Sequence, residues 1–178
     1  MLIAVAGLAG VGKTTAVGYL ESAGVGRPIY VGRYIQDEVK RRGLPINASN
    51  ERFVRQQIRQ QFGLDFIANK VTADLEQIRT NEPILLDAIY VREEAEHYRA
   101  VLGRRLIIIG IEADFELRVR RLATRADFPL TPVELVGRDA FDIGLGVREV
   151  VVTADMRLTN EGSLDDFKRS LDGLRERW

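Results

Sequence analysis

Residues 7–14 read Gly7-Leu8-Ala9-Gly10-Val11-Gly12-Lys13-Thr14, preceded by the apolar run Leu2 to Ala6 and followed by Thr15 and a helical stretch carrying Val17 and Leu20. The octet fits G-x-x-x-x-G-K-[ST] in the context that gives this pattern meaning, after a strand and at the head of a helix. Glycines at 7, 10 and 12 let the main chain curl with its amides turned inward, and the helix behind them offers its positive end. The segment is therefore expected to cradle an anion through the amides of the loop, Leu8, Ala9, Val11 and Thr15 included. Lys13 would reach the β and γ phosphates of ATP, and Thr14 would set its hydroxyl on Mg²⁺.

Outward from the loop, apolar runs alternate with helical periods, the pattern of strands joined by helical crossovers into a parallel sheet. Five strands are predicted: Leu2 to Ala6, Pro28 to Val31, Pro83 to Asp87, Arg105 to Glu112 and Met156 to Asn160. The unbroken run Leu106-Ile107-Ile108-Ile109 is expected at the centre of the sheet, because neither of its faces suits water. Val54, Ile58 and Phe62 recur at four up to Gly63, and Ile67, Val71, Leu75 and Ile78 form the next stripe after Asp65. Ser163 with Asp166 spells a capping box ahead of the stripe Leu164, Phe167, Leu171, Leu174 and Trp178. Ala126 to Gly146, with Pro129, Pro132 and three glycines, is expected to be mobile. Without a repeat or a linker rich in Gly, Ser and Pro, residues 1–178 read as a single domain.

Composition narrows the chemistry. The 178 residues, 46% hydrophobic and 29% charged, suit one soluble domain with a packed core. Twenty-six basic residues balance 26 acidic ones, which disfavours a general nucleic-acid or anionic-membrane binder. Of those 26 basic residues 22 are arginine, the planar donor that grips phosphates in two places. The absence of cysteine removes disulfides, zinc-thiolate sites and thiol nucleophiles. The lone His97, read as a surface residue, cannot build a multi-histidine metal centre. No run approaches the roughly 20 apolar residues that span a bilayer, and no leader pattern is present, so a cytoplasmic location is expected. Guanine reading through Asn-Lys-x-Asp fails at Asn69-Lys70-Val71-Thr72.

Asp87 closes the run Ile84-Leu85-Leu86, which sets a carboxylate at the carboxyl edge of a strand, where open parallel sheets bind ligands. It could order the water of a magnesium ion or accept the proton of an acceptor hydroxyl; an ordinary turn-forming aspartate is the plainer reading. Arg118, Arg121 and Arg125 fall at i, i+3 and i+7, on one face of a helix starting after Asp114, and Arg138 could join them on closure. Such a strip stabilises charge developing on transferred phosphoryl oxygens, unless it is a solvated face paired with Glu112, Asp114 and Glu116. Arg33 follows the second strand at the edge where an acceptor would lie, and Arg52, Arg55 and Arg59 share a neighbouring helix. Tyr90 and Arg92, just past Asp87, are expected to face the cleft.

With these residues in place, the chain resembles the nucleotide kinases of the P-loop superfamily, and most closely the family related to dephospho-CoA kinase. The resemblance runs through Gly7 to Thr14, Val31-Gly32-Arg33 into Asp37-Glu38, Arg42-Gly43-Leu44, Leu86-Asp87-Ala88-Ile89, Arg138-Asp139 with Gly144-Leu145-Gly146, and Ala154-Asp155 leading to Asn160-Glu161-Gly162-Ser163-Leu164. It implies an α/β fold of the P-loop NTPase type, a three-layer α/β/α sandwich with a five-stranded parallel sheet, like the nucleoside monophosphate kinases. It further implies an acceptor-binding helical region near residues 33–80, a lid near 114–146 whose arginines fold over the ATP phosphates, and adenine beside Asn160 and Gly162. The Gly-Asp pair and following arginine of adenylate-kinase-like proteins are replaced by Gly32-Arg33 and Gln36, and the usual Asp-Gly after the third strand is Asp87-Ala88.

The expected activity is an ATP- and Mg²⁺-dependent phosphotransferase acting on a nucleotide or nucleotide-like acceptor, as a monomer or homodimer. Dephospho-CoA kinase-like activity is one alternative, and an ATPase switch or assembly factor without a small-molecule acceptor is another.

Overall fold

The computed structural model describes residues 1–78, 81–125 and 129–176. Strands β1 (Leu2–Ala6), β2 (Arg27–Tyr30), β3 (Ile84–Ile89), β4 (Leu106–Glu112) and β5 (Met156–Thr159) form one parallel sheet in the order β2-β3-β1-β4-β5. All five predicted strands are present, β1 with the predicted bounds and the others with ends displaced by at most two residues. β1 rather than β4 is the middle strand; β4 lies between β1 and β5, and all five residues of β1 are buried. An apolar run demands cover on both faces, which any interior strand receives, so it cannot select the central one.

Side-chain alternation along the strands divides the core into two layers. On one face Leu2, Ala4, Ala6, Leu86 and Ile108 pack under α2 (Gly32–Arg41), α3 (Ala48–Phe62), α4 (Phe66–Gln77), α5 (Arg92–Leu102) and α8 (Val147–Val152). On the other, Ile3, Val5, Leu85, Ile109 and Ile111 meet α1 (Lys13–Ser22) and α9 (Leu164–Arg175). Each fully buried Leu or Ile contributes roughly 1.5–3 kcal/mol. The result is the α/β/α sandwich that the family resemblance implies.

Local signals set the helix ends. The Asn47 side chain caps α3, accepting from the Asn50 amide, and Gly63 follows its last turn. Val54 and Ile58 of that stripe are buried, but Phe62 is exposed and stacks on Phe66. The Ser163–Asp166 capping box forms at the head of α9, and Phe167, Leu171 and Leu174 are buried. Leu164, in its first turn, points outward, while Trp178 lies outside the described residues.

The stretch from Ala126 to Gly146, expected to be mobile, is helical over most of its described length. Helix α7 (Pro132–Gly144) starts from a complete capping box between Thr131 and Glu134, with Pro132 in its first turn. Proline at that place costs no hydrogen bond and presets the helical φ, so the residue read as a breaker is a helix start. Residues 126–128 lie outside the described residues. His97 is also corrected: it is half-buried, 3.2 Å from the Thr72 hydroxyl, rather than on the surface.

Candidate active site

The loop between β1 and α1 folds as its sequence requires. Gly7 has φ +149°, and a Cβ there would lie 2.3 Å from the Ile111 carbonyl oxygen. At Gly12, φ is +103° and a Cβ would lie 2.5 Å from Asn160 Nδ2, so both positions need glycine for backbone angle and for space. Register then brings in the carboxylate: β1 pairs β3 with Val5 opposite Asp87, next to the loop, and Asp87 Oδ2 accepts a 2.8 Å hydrogen bond from Thr14 Oγ1. A hydroxyl and a carboxylate oxygen side by side make the hard donor set that Mg²⁺ takes, with water completing its shell.

Lys13 is buried and folded back on its own loop, donating to the Gly7 carbonyl at 2.7 Å and the Leu8 carbonyl at 2.9 Å. Burial lowers its ammonium to about 8, against the opposing pull of the Asp87 carboxylate. Tyr90 covers it, the ammonium lying 5.2 Å from the ring centroid, and burial pushes the Tyr90 phenol up.

These groups stand at the floor of a cleft of about 910 Å³. One side is the loop itself, through Ala9, Gly10, Gly12, Lys13, Thr14 and Thr15, with Arg121 and Arg125 beside it. α7 contributes Glu134, Gly137, Arg138, Phe141 and Asp142. The far wall is Tyr30, Gly32, Gln36, Glu51, Arg52, Arg55 and Gln56, from β2, α2 and α3. The cleft therefore joins the phosphate loop to the helical region on which the sequence places an acceptor.

The three arginines read as one helical strip divide on folding. α6 (Phe115–Ala123) ends before Arg125, which stands exposed at the cleft. Arg121 lines the cleft while donating to the Asn160 carbonyl at 3.1 Å and to Asn160 Oδ1 at 3.2 Å. Arg118 turns inward, bonded to both oxygens of Asp139 at 2.9 and 2.6 Å and to the Ala9 carbonyl at 3.1 Å. It braces the loop from behind and ties α6 to α7. Removing one partner of a buried, two-pronged pair strands the other charge, at a cost of about 3–5 kcal/mol. Asp139→Ala should thus lower the unfolding free energy by that amount; a denaturant midpoint equal to the parent's would contradict the pairing.

Arg33, Arg92 and Gly162 lie outside the cleft lining, and Asn160 lies beneath the loop. Arg33 turns from the cleft to an exposed ion pair with Asp74 at 2.8 Å, since the chain enters α2 at Gly32 and carries the next side chain around the helix. Arg92 is exposed among Glu93, Glu96 and Glu149, which hold it on the outer side of α5. Gly162 is exposed and packs against Asp166, and Asn160 is buried with Nδ2 donating 2.8 Å to the Val11 carbonyl. Asn160 thereby supports the loop from beneath.

Sequence reasoning passed over two groups. Asp142 reaches Arg138 at 3.6 Å, and that i,i+4 spacing was a usable signal. Glu94 is 2% exposed at the start of α5 and faces Arg59 at 3.7 Å. Nothing in Glu93-Glu94-Ala95-Glu96 marks which carboxylate is inside.

Parallel sheet, glycine loop, buried lysine and the β3 carboxylate together define a P-loop protein of the kinase-like fold. A family model described as an AAA domain matches residues 3–129. UPF0200 proteins from Methanoculleus marisnigri and Aeropyrum pernix are 33% and 34% identical, covering 97% and 94% of this chain and 94% and 88% of their own. The chain belongs to the UPF0200 family and carries that AAA domain. Among solved structures it is similar to a shikimate kinase from Aquifex aeolicus, at TM-score 0.59, 20% identity, and 99% and 96% coverage of the two chains. A gluconokinase from Sinorhizobium meliloti gives TM-score 0.57 and 15% identity, with 98% and 93% coverage.

Proposed function

We propose that this protein is a small-molecule kinase, moving the γ phosphate of ATP to a hydroxyl or phosphate oxygen of a nucleotide-like acceptor with Mg²⁺ present. The observation that carries this reading is that one cleft holds both ends of the reaction: Lys13, Thr14 and Asp87 line it, with Arg52, Arg55 and Gln36 across it. Loop amides and Lys13 would hold the triphosphate, while Arg121, Arg125 and Arg138 would offset charge growing on the transferred oxygens. Thr14 and Asp87 would hold Mg²⁺, which draws charge from the phosphate oxygens when bound. Asp87 would also take the acceptor hydroxyl's proton, as the bond from the γ phosphorus to its leaving oxygen gives way to one from the acceptor oxygen. In this reading residues near 33–80 seat the acceptor, and residues near 114–146 form the lid.

Incubation with γ-labelled ATP and a panel of nucleoside monophosphates, dephospho-CoA and polyhydroxy acids tests the assignment. Label should appear on one acceptor class at a rate far above that of free phosphate release. Phosphate release with no labelled acceptor across the panel would instead favour an ATPase switch.

A further inference from the structure

Three consecutive carbonyls of the loop, those of Ala9, Gly10 and Val11, each accept a hydrogen bond from a side chain outside it. Arg118 Nη1 holds the first at 3.1 Å and Arg121 Nη1 the second at 3.4 Å, both from α6. Asn160 Nδ2 holds the third at 2.8 Å, from the turn after β5. A trans peptide is planar, with its C=O and N–H pointing opposite ways, so a carbonyl fixed from one side aims the following amide to the other. Clamping these three oxygens therefore turns the amides of Gly10, Val11 and Gly12 away from the clamping side chains, where successive N–H groups can meet an anion together.

Asn160 is itself held on every side. Its backbone amide donates to the Glu112 carbonyl at 2.8 Å, and its carbonyl and Oδ1 both accept from Arg121 Nη2, at 3.1 and 3.2 Å. A guanidinium can only donate, so Arg121 fixes which end of the side-chain amide is oxygen and leaves Nδ2 to donate to Val11. The residue is 6% exposed, and the 2.5 Å approach of its Nδ2 to a Cβ on Gly12 leaves no room between clamp and loop. Both oxygens and one side-chain hydrogen of Asn160 are engaged within the protein, and burial withholds the rest from a base.

We infer that Asn160 is a positioning residue for the phosphates and not a contact for the base: it aims the Gly12 amide through the Val11 carbonyl, and Arg121 locks it in that orientation. This rests on the reading of the loop as a nucleotide site, and adds to it the group that keeps the loop in shape before a nucleotide arrives. Donors already aimed need no rearrangement when the ligand binds, so a loop held in this way takes polyphosphate more tightly than one that must first be ordered. The turn after β5 thereby acts on the phosphate end of the ligand, from 149 positions along the chain from Val11.

Calorimetry on the whole chain with Mg²⁺-tripolyphosphate, which has no base, and with Mg²⁺-ATP tests the assignment. Asn160→Ala should weaken both by the same factor, about tenfold or more, while keeping a cooperative melting transition. Lost ATP affinity with tripolyphosphate binding intact would make Asn160 a base contact, and unchanged affinity for both would make it a support of the fold alone; either result overturns the inference. A second measurement needs no variant. In the ¹⁵N-labelled parent the Asn160 side-chain amide resonance should respond alike to tripolyphosphate and to ATP, and a displacement seen with ATP alone overturns the assignment. A parent that binds neither ligand defeats the nucleotide reading itself, a result distinct from a parent that binds both and a variant that binds them equally well.

Discussion

Lys13→Ala is expected to reduce phosphoryl transfer by about a thousandfold or more, with the melting transition retained. In the proposed reaction little covalent chemistry would fall to the protein, so its rate would rest on positioned charge; one lost donor in such a site costs about 10²–10³, and Lys13 would face two phosphates. The native fold does not depend on it in the same way. The ammonium spends its hydrogen bonds on the Gly7 and Leu8 carbonyls of its own loop, and burial opposes its charge. Single-turnover kinetics with saturating ATP measure the effect, and turnover within tenfold of the parent would remove Lys13 from its role.

The same lysine fixes a pH dependence. Its ammonium is lowered by burial from 10.5 to about 8, so the folded chain releases this proton before the unfolded chain does. Between those two values the unfolded state binds more protons, and stability therefore rises with pH in that window and is insensitive to Lys13 below it. A bound polyphosphate favours the charged form and raises the value again. ATP binding should accordingly take up about one proton above pH 8, with affinity falling up to tenfold per pH unit there and staying level below. Calorimetry in buffers of different ionisation enthalpy counts that proton, and zero uptake at pH 9 would contradict the assignment.

Asp87→Asn is the second large effect, a loss of about 10²–10⁴ in transfer. The amide can still accept from Thr14 Oγ1, so the local hydrogen bond survives while the negative charge is lost. Nucleotide binding should respond in the opposite sense to catalysis. Without a carboxylate beside the phosphates, ATP should bind the variant as well in chelator as the parent does with Mg²⁺, and lose most of its dependence on added metal. A variant that retains both the parent's metal dependence and its rate would show Asp87 to be an ordinary strand-end residue.

How far the site was legible follows from the range of each interaction. The loop from Gly7 to Thr14 was read directly, because a short motif sets local backbone; Asp87 was found beside it, although β3 runs two residues further, to Ile89, and buries that carboxylate. The arginines were not. Spacing along a helix predicts a shared face, but Arg118 meets Asp139 while Arg121 meets Asn160, partners 21 and 39 positions away. Arg33 likewise went to Asp74, which no spacing rule names, and Arg92 to Glu149 as well as to Glu96 four places on. The proline at 132 misled because proline breaks a helix interior and opens a helix start, and only the Thr131–Glu134 box distinguishes these.

The sequence by itself determined the parallel sheet with helical crossovers and the glycine loop, since hydrophobic period, capping pairs and glycine spacing act within a few residues of one another. Tertiary structure alone decided which strand is central, which arginines reach the cleft and that Glu94 is enclosed with Arg59. Burial of a charge depends on what packs over it, and that cover comes from segments distant along the chain.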